Sequence, residues 1–135
     1  THKKRKTRIK RKIHKKRKTR KKKTKKLKRY GVDMKEKIIN FKKSTIKGKK
    51  YTAIVGNINT KKERIIHFGG NGYEQFKDST GLGHYSHVNH GTLKRKQNYF
   101  NRHSGEKTKR KAVIKELKKS NGYYNAKILS HIYLW

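Results

Sequence analysis

Lys50-Tyr51-Thr52-Ala53-Ile54-Val55, then Gly56-Asn57-Ile58-Asn59-Thr60, then Glu63-Arg64-Ile65-Ile66-His67-Phe68: two runs rich in β-branched and aromatic residues flank a loop of Gly and Asn. Such runs suit a pleated, half-buried surface, and together they predict a β-hairpin. The loop is longer than a two-residue turn, so a bulged connection of roughly four to six residues is expected. Gly69, Gly70 and Gly72 close the second strand, and Gly81 and Gly83 follow. This stretch reads as a structured loop in which glycines take positive φ while Tyr73 and Phe76 fold back onto the hairpin. Further on, residues 92–103 suit a basic helix capped by Thr92, with Leu93, Tyr99 and Phe100 on its apolar side. A second helix is predicted from about residue 107 to 119, carrying Ala112, Val113, Ile114 and Leu117 and ended by Asn121-Gly122. Upstream, residues 30–48 form a mixed segment in which the first acids appear and order begins. The predicted fold is α+β: a β-hairpin or short antiparallel sheet with two or three helices over residues 49–135, a connector over 32–48, and a long extended basic arm over 1–31.

That arm has its own physical signature. Residues 1–29 hold 20 of the 43 Lys and Arg and no acid, with Ile9, Ile13 and Leu27 as the only large apolar side chains. Too little apolar surface is present to offset the entropy of ordering, and the like charges repel, so in isolation the arm is expected to be extended and disordered. Its counter-surface must be a polyanion, and nucleic acid fits because Lys and Arg displace the counterions condensed on phosphates. The candidate polyanion ligands are Lys3, Lys4, Arg5, Lys6, Arg8, Lys10, Arg11, Lys12, Lys15, Lys16, Arg17, Lys18, Arg20, Lys21, Lys22, Lys23 and Arg29, joined by Arg95, Lys96 and Arg102 on the first helix. Arg-Lys-Thr-Arg occurs twice, at residues 5–8 and 17–20, a weak repeat within low-complexity basic sequence. Lys-rich runs of this kind also serve as nuclear-localisation signals. The basic field continues past the arm, since the remaining 106 residues carry 23 basic groups against 7 acids. A folded basic face should therefore adjoin the arm.

Composition closes several routes to function. No Cys occurs, so disulfides and thiolate metal sites are excluded. No stretch approaches the roughly 20 apolar residues of a membrane span, and the N-terminal segment lacks the apolar core of a secretory signal, so a soluble chain is expected. Phe68-Gly69-Gly70-Asn71-Gly72 lacks the Lys-Ser/Thr pair of a phosphate-binding loop and reads as a strand-ending turn. His84, His87 and His90 recur every third residue, yet no acid completes a ligand shell there, so they read as structural or phosphate-touching, with no metal and no cofactor. Seven scattered acids are a poor supply for catalysis, and neither an enzyme nor a small-molecule substrate is expected. Tyr99 and Phe100 read as core, with Arg95, Lys96, Arg102 and Lys109 facing solvent. The chain closes on Ile128, Leu129, Ile132, Tyr133, Leu134 and Trp135, apolar residues too costly to leave in water, which read as a segment docking on the core or on a partner.

Several motifs occur in a fixed order: Ile66-His67-Phe68-Gly69, Gly72-Tyr73-Glu74-Gln75-Phe76-Lys77-Asp78-Ser79-Thr80, Tyr85-Ser86-His87 with Asn89-His90, Tyr99-Phe100-Asn101-Arg102-His103-Ser104-Gly105, and Ile128-Leu129-Ser130-His131 with Tyr133-Leu134-Trp135. In these the chain resembles small basic proteins encoded by nucleocytoplasmic large DNA viruses, over roughly residues 50 to 135. It departs from them at Asn89, where the family usually has Asp, and in Lys94-Arg95-Lys96, where the family has a denser Arg pair. The resemblance implies a virion or capsid-associated protein with no catalytic activity, acting in the virion and in the viral factory or nucleus of the infected cell. Its expected partners are capsid or other virion proteins and double-stranded DNA or another polyanion. A nucleoid-condensing protein and a ribosomal-type RNA-binding protein are the alternatives.

Overall fold

A computed structural model describes residues 26–135; of the arm cations assigned to polyanion binding, Arg29 alone falls among them, and Lys3 to Lys23 lie outside the described residues. The fold is α+β, with two small antiparallel sheets and three α-helices. The first sheet is a two-residue-by-two-residue hairpin, β1 (Lys28–Arg29) and β2 (Val32–Asp33). Tyr30 and Gly31 turn it with φ of 51° and 75°, the pair of positive angles that a tight type I′ turn demands. The second sheet has the order β3 (Glu36–Lys43), β4 (Lys49–Asn57), β5 (Glu63–Gly70). Its β4–β5 pair is the hairpin predicted from the sequence, with Tyr51 opposite Phe68 and Ala53 opposite Ile66. Asn57 organises the connecting loop by accepting from the backbone N–H of Asn59 and Thr60.

Residues 32–48, expected as a connector, instead supply β2 and β3, and the arm's last residues supply β1. The reason lies in a bulge at Ile39. It shifts the register between Ile38, opposite Val55, and Asn40, opposite Ile54, so Ile38 and Phe41 pack on the core while Ile39 points outward.

Tyr51, Ala53, Val55, Ile66 and Phe68 form the core face of the sheet, and the helices lie on it. These are α1 (Leu93–Ser104), α2 (Lys109–Lys119) and α3 (Ala126–Tyr133). α3 packs against β5 and α2, and α2 in turn against α1. Thr108 and Asn125 cap α2 and α3 through their side chains. Thr92 occupies the N-cap of α1 without capping it, because its hydroxyl turns back to donate to the His90 carbonyl.

The segment expected to dock on a partner is α3 and its exit. Ile128, Leu129, Ile132 and Leu134 are buried, and Tyr133 and Trp135 are half-buried against the core clusters. Its partner is the chain's own sheet, since an 8-residue helix with this apolar content completes the single-faced sheet. Tyr99 and Phe100 are buried as predicted, in a second cluster with Ala112 against which Trp135 packs. Among the described residues no helix is long and apolar enough to cross a membrane.

Three of the seven acids are interior braces. Glu36 takes a bidentate bond from Arg64 at 2.6 and 2.9 Å and a third from the Tyr124 backbone N–H at 2.9 Å, fastening the sheet to the α2–α3 turn. Asp78 gathers the Tyr51 hydroxyl, the Thr80 hydroxyl and N–H, and the Tyr85 N–H, so that these donors hold the loop after β5 on the sheet. Glu116 accepts from Ser104 at 2.9 Å between α2 and α1. Arg29 makes a fourth tie: its guanidinium donates to the Tyr124 and Tyr133 hydroxyls at 3.1 and 2.9 Å. This cation joins the first hairpin to α3, with both bonds made by a single guanidinium nitrogen.

Candidate functional site

Because the folded state satisfies Glu36, Asp78 and Glu116 inside, its exterior is depleted of negative charge. Among the described residues 21 of the 26 Lys and Arg are exposed, against three acids, Asp33, Glu63 and Glu74. The exposed charge of the described residues is thus predominantly cationic.

One concavity concentrates it. α1 puts Arg95, Tyr99 and Arg102 on one face by their spacing of four and three residues, and across from them lie Gly69, Gly70, Tyr73 and Glu74. Between these walls is a cleft of about 520 Å³, with Leu134, Trp135 and Lys50 also lining it. Tyr99 and Trp135 stack in parallel, their centroids 4.2 Å apart and planes 2° apart. Tyr73 stands out at 73% exposed. Gly70 is what lets it lie against the strand end, since a Cβ there would come within 2.8 Å of the Tyr73 ring. Glu74 faces Arg95 at 3.4 Å, a weak exposed pair that leaves the cleft net cationic.

The floor is a satisfied polar network. Lys50, buried, donates to the Tyr73 carbonyl at 2.6 Å and to Gln75 Oε1 at 2.8 Å, and burial lowers its pKa, with Asp78 opposing. Gln75 Nε2 donates to the Tyr85 carbonyl and to Asn89 Oδ1, which also accepts from the Asp78 N–H. Asn89 Oδ1 therefore joins the Gln75 side chain to the backbone of the loop at Asp78. Lys50 is buried in this floor, whereas Arg95 and Arg102 are exposed on the cleft wall, where an entering anion meets them first.

Of the three helix cations singled out from the sequence, Arg95 and Arg102 line the cleft and Lys96 does not: its ammonium sits 4.5 Å from the Phe76 ring centroid. Phe76 thereby packs beside α1 and His90. Lys109, expected in solvent, is half-buried and donates to the Ile132 carbonyl at 2.8 Å; burial lowers its pKa to about 8, with Lys96 and Arg29 adding to the effect. The cleft's Lys50, Tyr73, Glu74 and Trp135 were not grouped by sequence reasoning. The Gly69-Gly70 pair was the available signal, since it marks a close approach as well as a turn.

The histidines every third residue pack against different rings. His84 tilts against Tyr51 at 6.2 Å, His87 stacks on Tyr85 at 6.2 Å, and His90 lies between Phe76 at 6.1 Å and Trp135 at 5.3 Å. Among the described residues no three His, Cys, Asp or Glu side chains gather as a metal site would require. A buried Ser104, His131 and Glu116 share the residue types of a nucleophilic triad but not its order. Glu116 can only accept, so Ser104 donates its one proton there and accepts from His131 Nε2–H at 2.8 Å; Nδ1 then accepts from Tyr99 at 2.9 Å. The serine lies between acid and imidazole, where the imidazole cannot take its proton.

A family of unknown function, DUF5754, matches residues 39–80, from β3 through the Gly70-Tyr73 wall of the cleft to Thr80. No curated protein and no solved structure matches the chain.

Proposed function

We propose that the chain is a non-enzymatic structural protein of a large DNA virus particle, a minor capsid or capsid-associated component that binds polyanions, with packaged DNA as the principal counter-surface. The observation that carries the polyanion reading is the segregation of charge: three acids are consumed in internal braces while 21 cationic side chains of the described residues remain exposed. The body is thus a cationic surface in its own right, beyond the 17 Lys and Arg of residues 1–25. The virion setting rests on the resemblance in the ordered motifs between Ile66 and Trp135.

The test is a salt titration of duplex DNA binding by the full chain and by a chain lacking residues 1–25. The full chain gives a steep fall of log K with log salt, about 0.9 units of slope per phosphate neutralised. The shortened chain gives a shallower but still clearly negative slope. A shortened chain that does not bind at low salt would overturn the assignment of the body as a polyanion surface, and absence of the chain from purified particles would overturn the virion setting.

A further inference from the structure

We infer that the cleft between α1 and the Gly69-Tyr73 turn takes one unpaired nucleotide, so that the folded body holds single-stranded nucleic acid in preference to duplex. The inference rests on the polyanion reading and assigns the chemistry of one place on that surface. A volume of about 520 Å³ lies within the range of small-ligand sites. Its contents are those that a nucleotide needs and a bare phosphate does not. Arg95 and Arg102, a helical run of seven residues apart, supply fixed guanidinium charge for phosphate oxygens. Tyr73, exposed and seated on Gly70, together with the Trp135 edge, supplies apolar ring surface for a base. The carboxylate of Glu74, held near Arg95 at 3.4 Å, is an acceptor for base N–H donors. Within a duplex both the faces and the pairing edges of bases are covered, and the backbone cylinder is too broad to enter a cleft walled by one helix and one turn. An extruded or unpaired base meets none of these obstacles.

The sequence provides the reporter: Trp135 is the single Trp of the chain, and it lines the cleft. The experiment titrates the full chain with a thymidine octamer, an abasic octamer of equal charge, the matching duplex, and thymidine monophosphate, reading Trp135 emission together with the anisotropy of labelled strands. The expected result is binding of all three polymers by anisotropy, with emission quenched by the thymidine octamer alone. Tyr73→Ala, and separately the pair Arg95→Ala and Arg102→Ala, should raise the octamer concentration needed for half-quenching at least fivefold without lowering the thermal midpoint. Equal quenching by the abasic octamer or the duplex, unchanged quenching in those variants, or saturation by thymidine monophosphate at octamer concentrations would each overturn the inference. Absence of an anisotropy change with every polymer would instead remove the polyanion reading beneath it.

Discussion

At the residue scale the buried chain Tyr99, His131, Ser104, Glu116 makes a prediction about pH. Burial lowers the His131 pKa from 6.5 to about 4, while Glu116 pulls the other way. The folded state therefore prefers the neutral ring, whereas the unfolded chain takes up the proton as pH falls below about 6.5. The stability from this site is complete above that value and is lost as pH falls toward 4, by about 3 kcal/mol at 1.36 kcal/mol per unit. Urea unfolding between pH 7 and pH 4 should show this loss, and His131→Gln, which cannot titrate, should flatten it. Asp78 behaves alike at lower pH: burial raises its pKa, but bonds from Thr80 and Tyr51 outweigh it and hold the carboxyl below its ordinary value. A second residue tests close packing. Gly122, at φ 82°, sits so near β2 that a Cβ would come within 2.2 Å of the Asp33 carbonyl oxygen. Gly122→Ala should cost about 3–4 kcal/mol, from the left-handed backbone and from displacing β2, visible as a lowered thermal midpoint. The sequence marked Asn121-Gly122 as a helix end, and both residues do take positive φ. That the glycine also admits a strand belongs to the tertiary fold, which local sequence does not encode.

At the element scale the boundary of the folded unit is what sequence and structure divide on. A chain of residues 49–135, the domain expected from the sequence, lacks β3 and with it Glu36, Ile38 and Phe41. It should fail to give a cooperative thermal transition, whereas residues 26–135 should give one, by circular dichroism. The loss would leave β4 as an edge, the Arg64 guanidinium without its carboxylate, and Phe68 and Tyr133 without the Phe41 ring that now meets them edge-on at 5.8 and 4.6 Å. β4, β5, α1 and α2 were legible because their apolar residues keep one period throughout. β3 was not, because the bulge at Ile39 breaks its alternation into Ile38, Ile39, Phe41. From sequence α3 reads as docking on the core or on a partner, because Ile128, Leu129 and Ile132 fit equally a helix closing its own core and one offered to another protein; their burial in the fold decides for the core. The cleft was half legible: Arg95 and Arg102 are a periodic pair on one helix, but Tyr73 and Glu74 reach it from a loop whose path depends on Gly70 and Gln75.

At the scale of the whole molecule, a formal charge of +36 on 135 residues sets the terms of stability. The compact state crowds like charges, and added salt relieves that crowding within a Debye length of about 10 Å at 0.1 M. The thermal midpoint should therefore rise between 0.02 and 0.3 M salt, as a scan of the full chain will show, and the proposed polyanion role predicts a further rise with saturating DNA, since a ligand of the folded state stabilises it. The seven acids are too few to balance the surface, and the fold uses three of them where they join separate elements. Arg29 has a mechanical consequence. A pull on the chain from the N-terminal side of Lys26 enters at Leu27 and β1, a strand of two residues that would unzip bond by bond if it stood alone. The tie from Arg29 to Tyr124 and Tyr133 passes part of that load to the helix layer at α3, so the pull is shared across the molecule instead of falling on the two bonded residues of β1 alone.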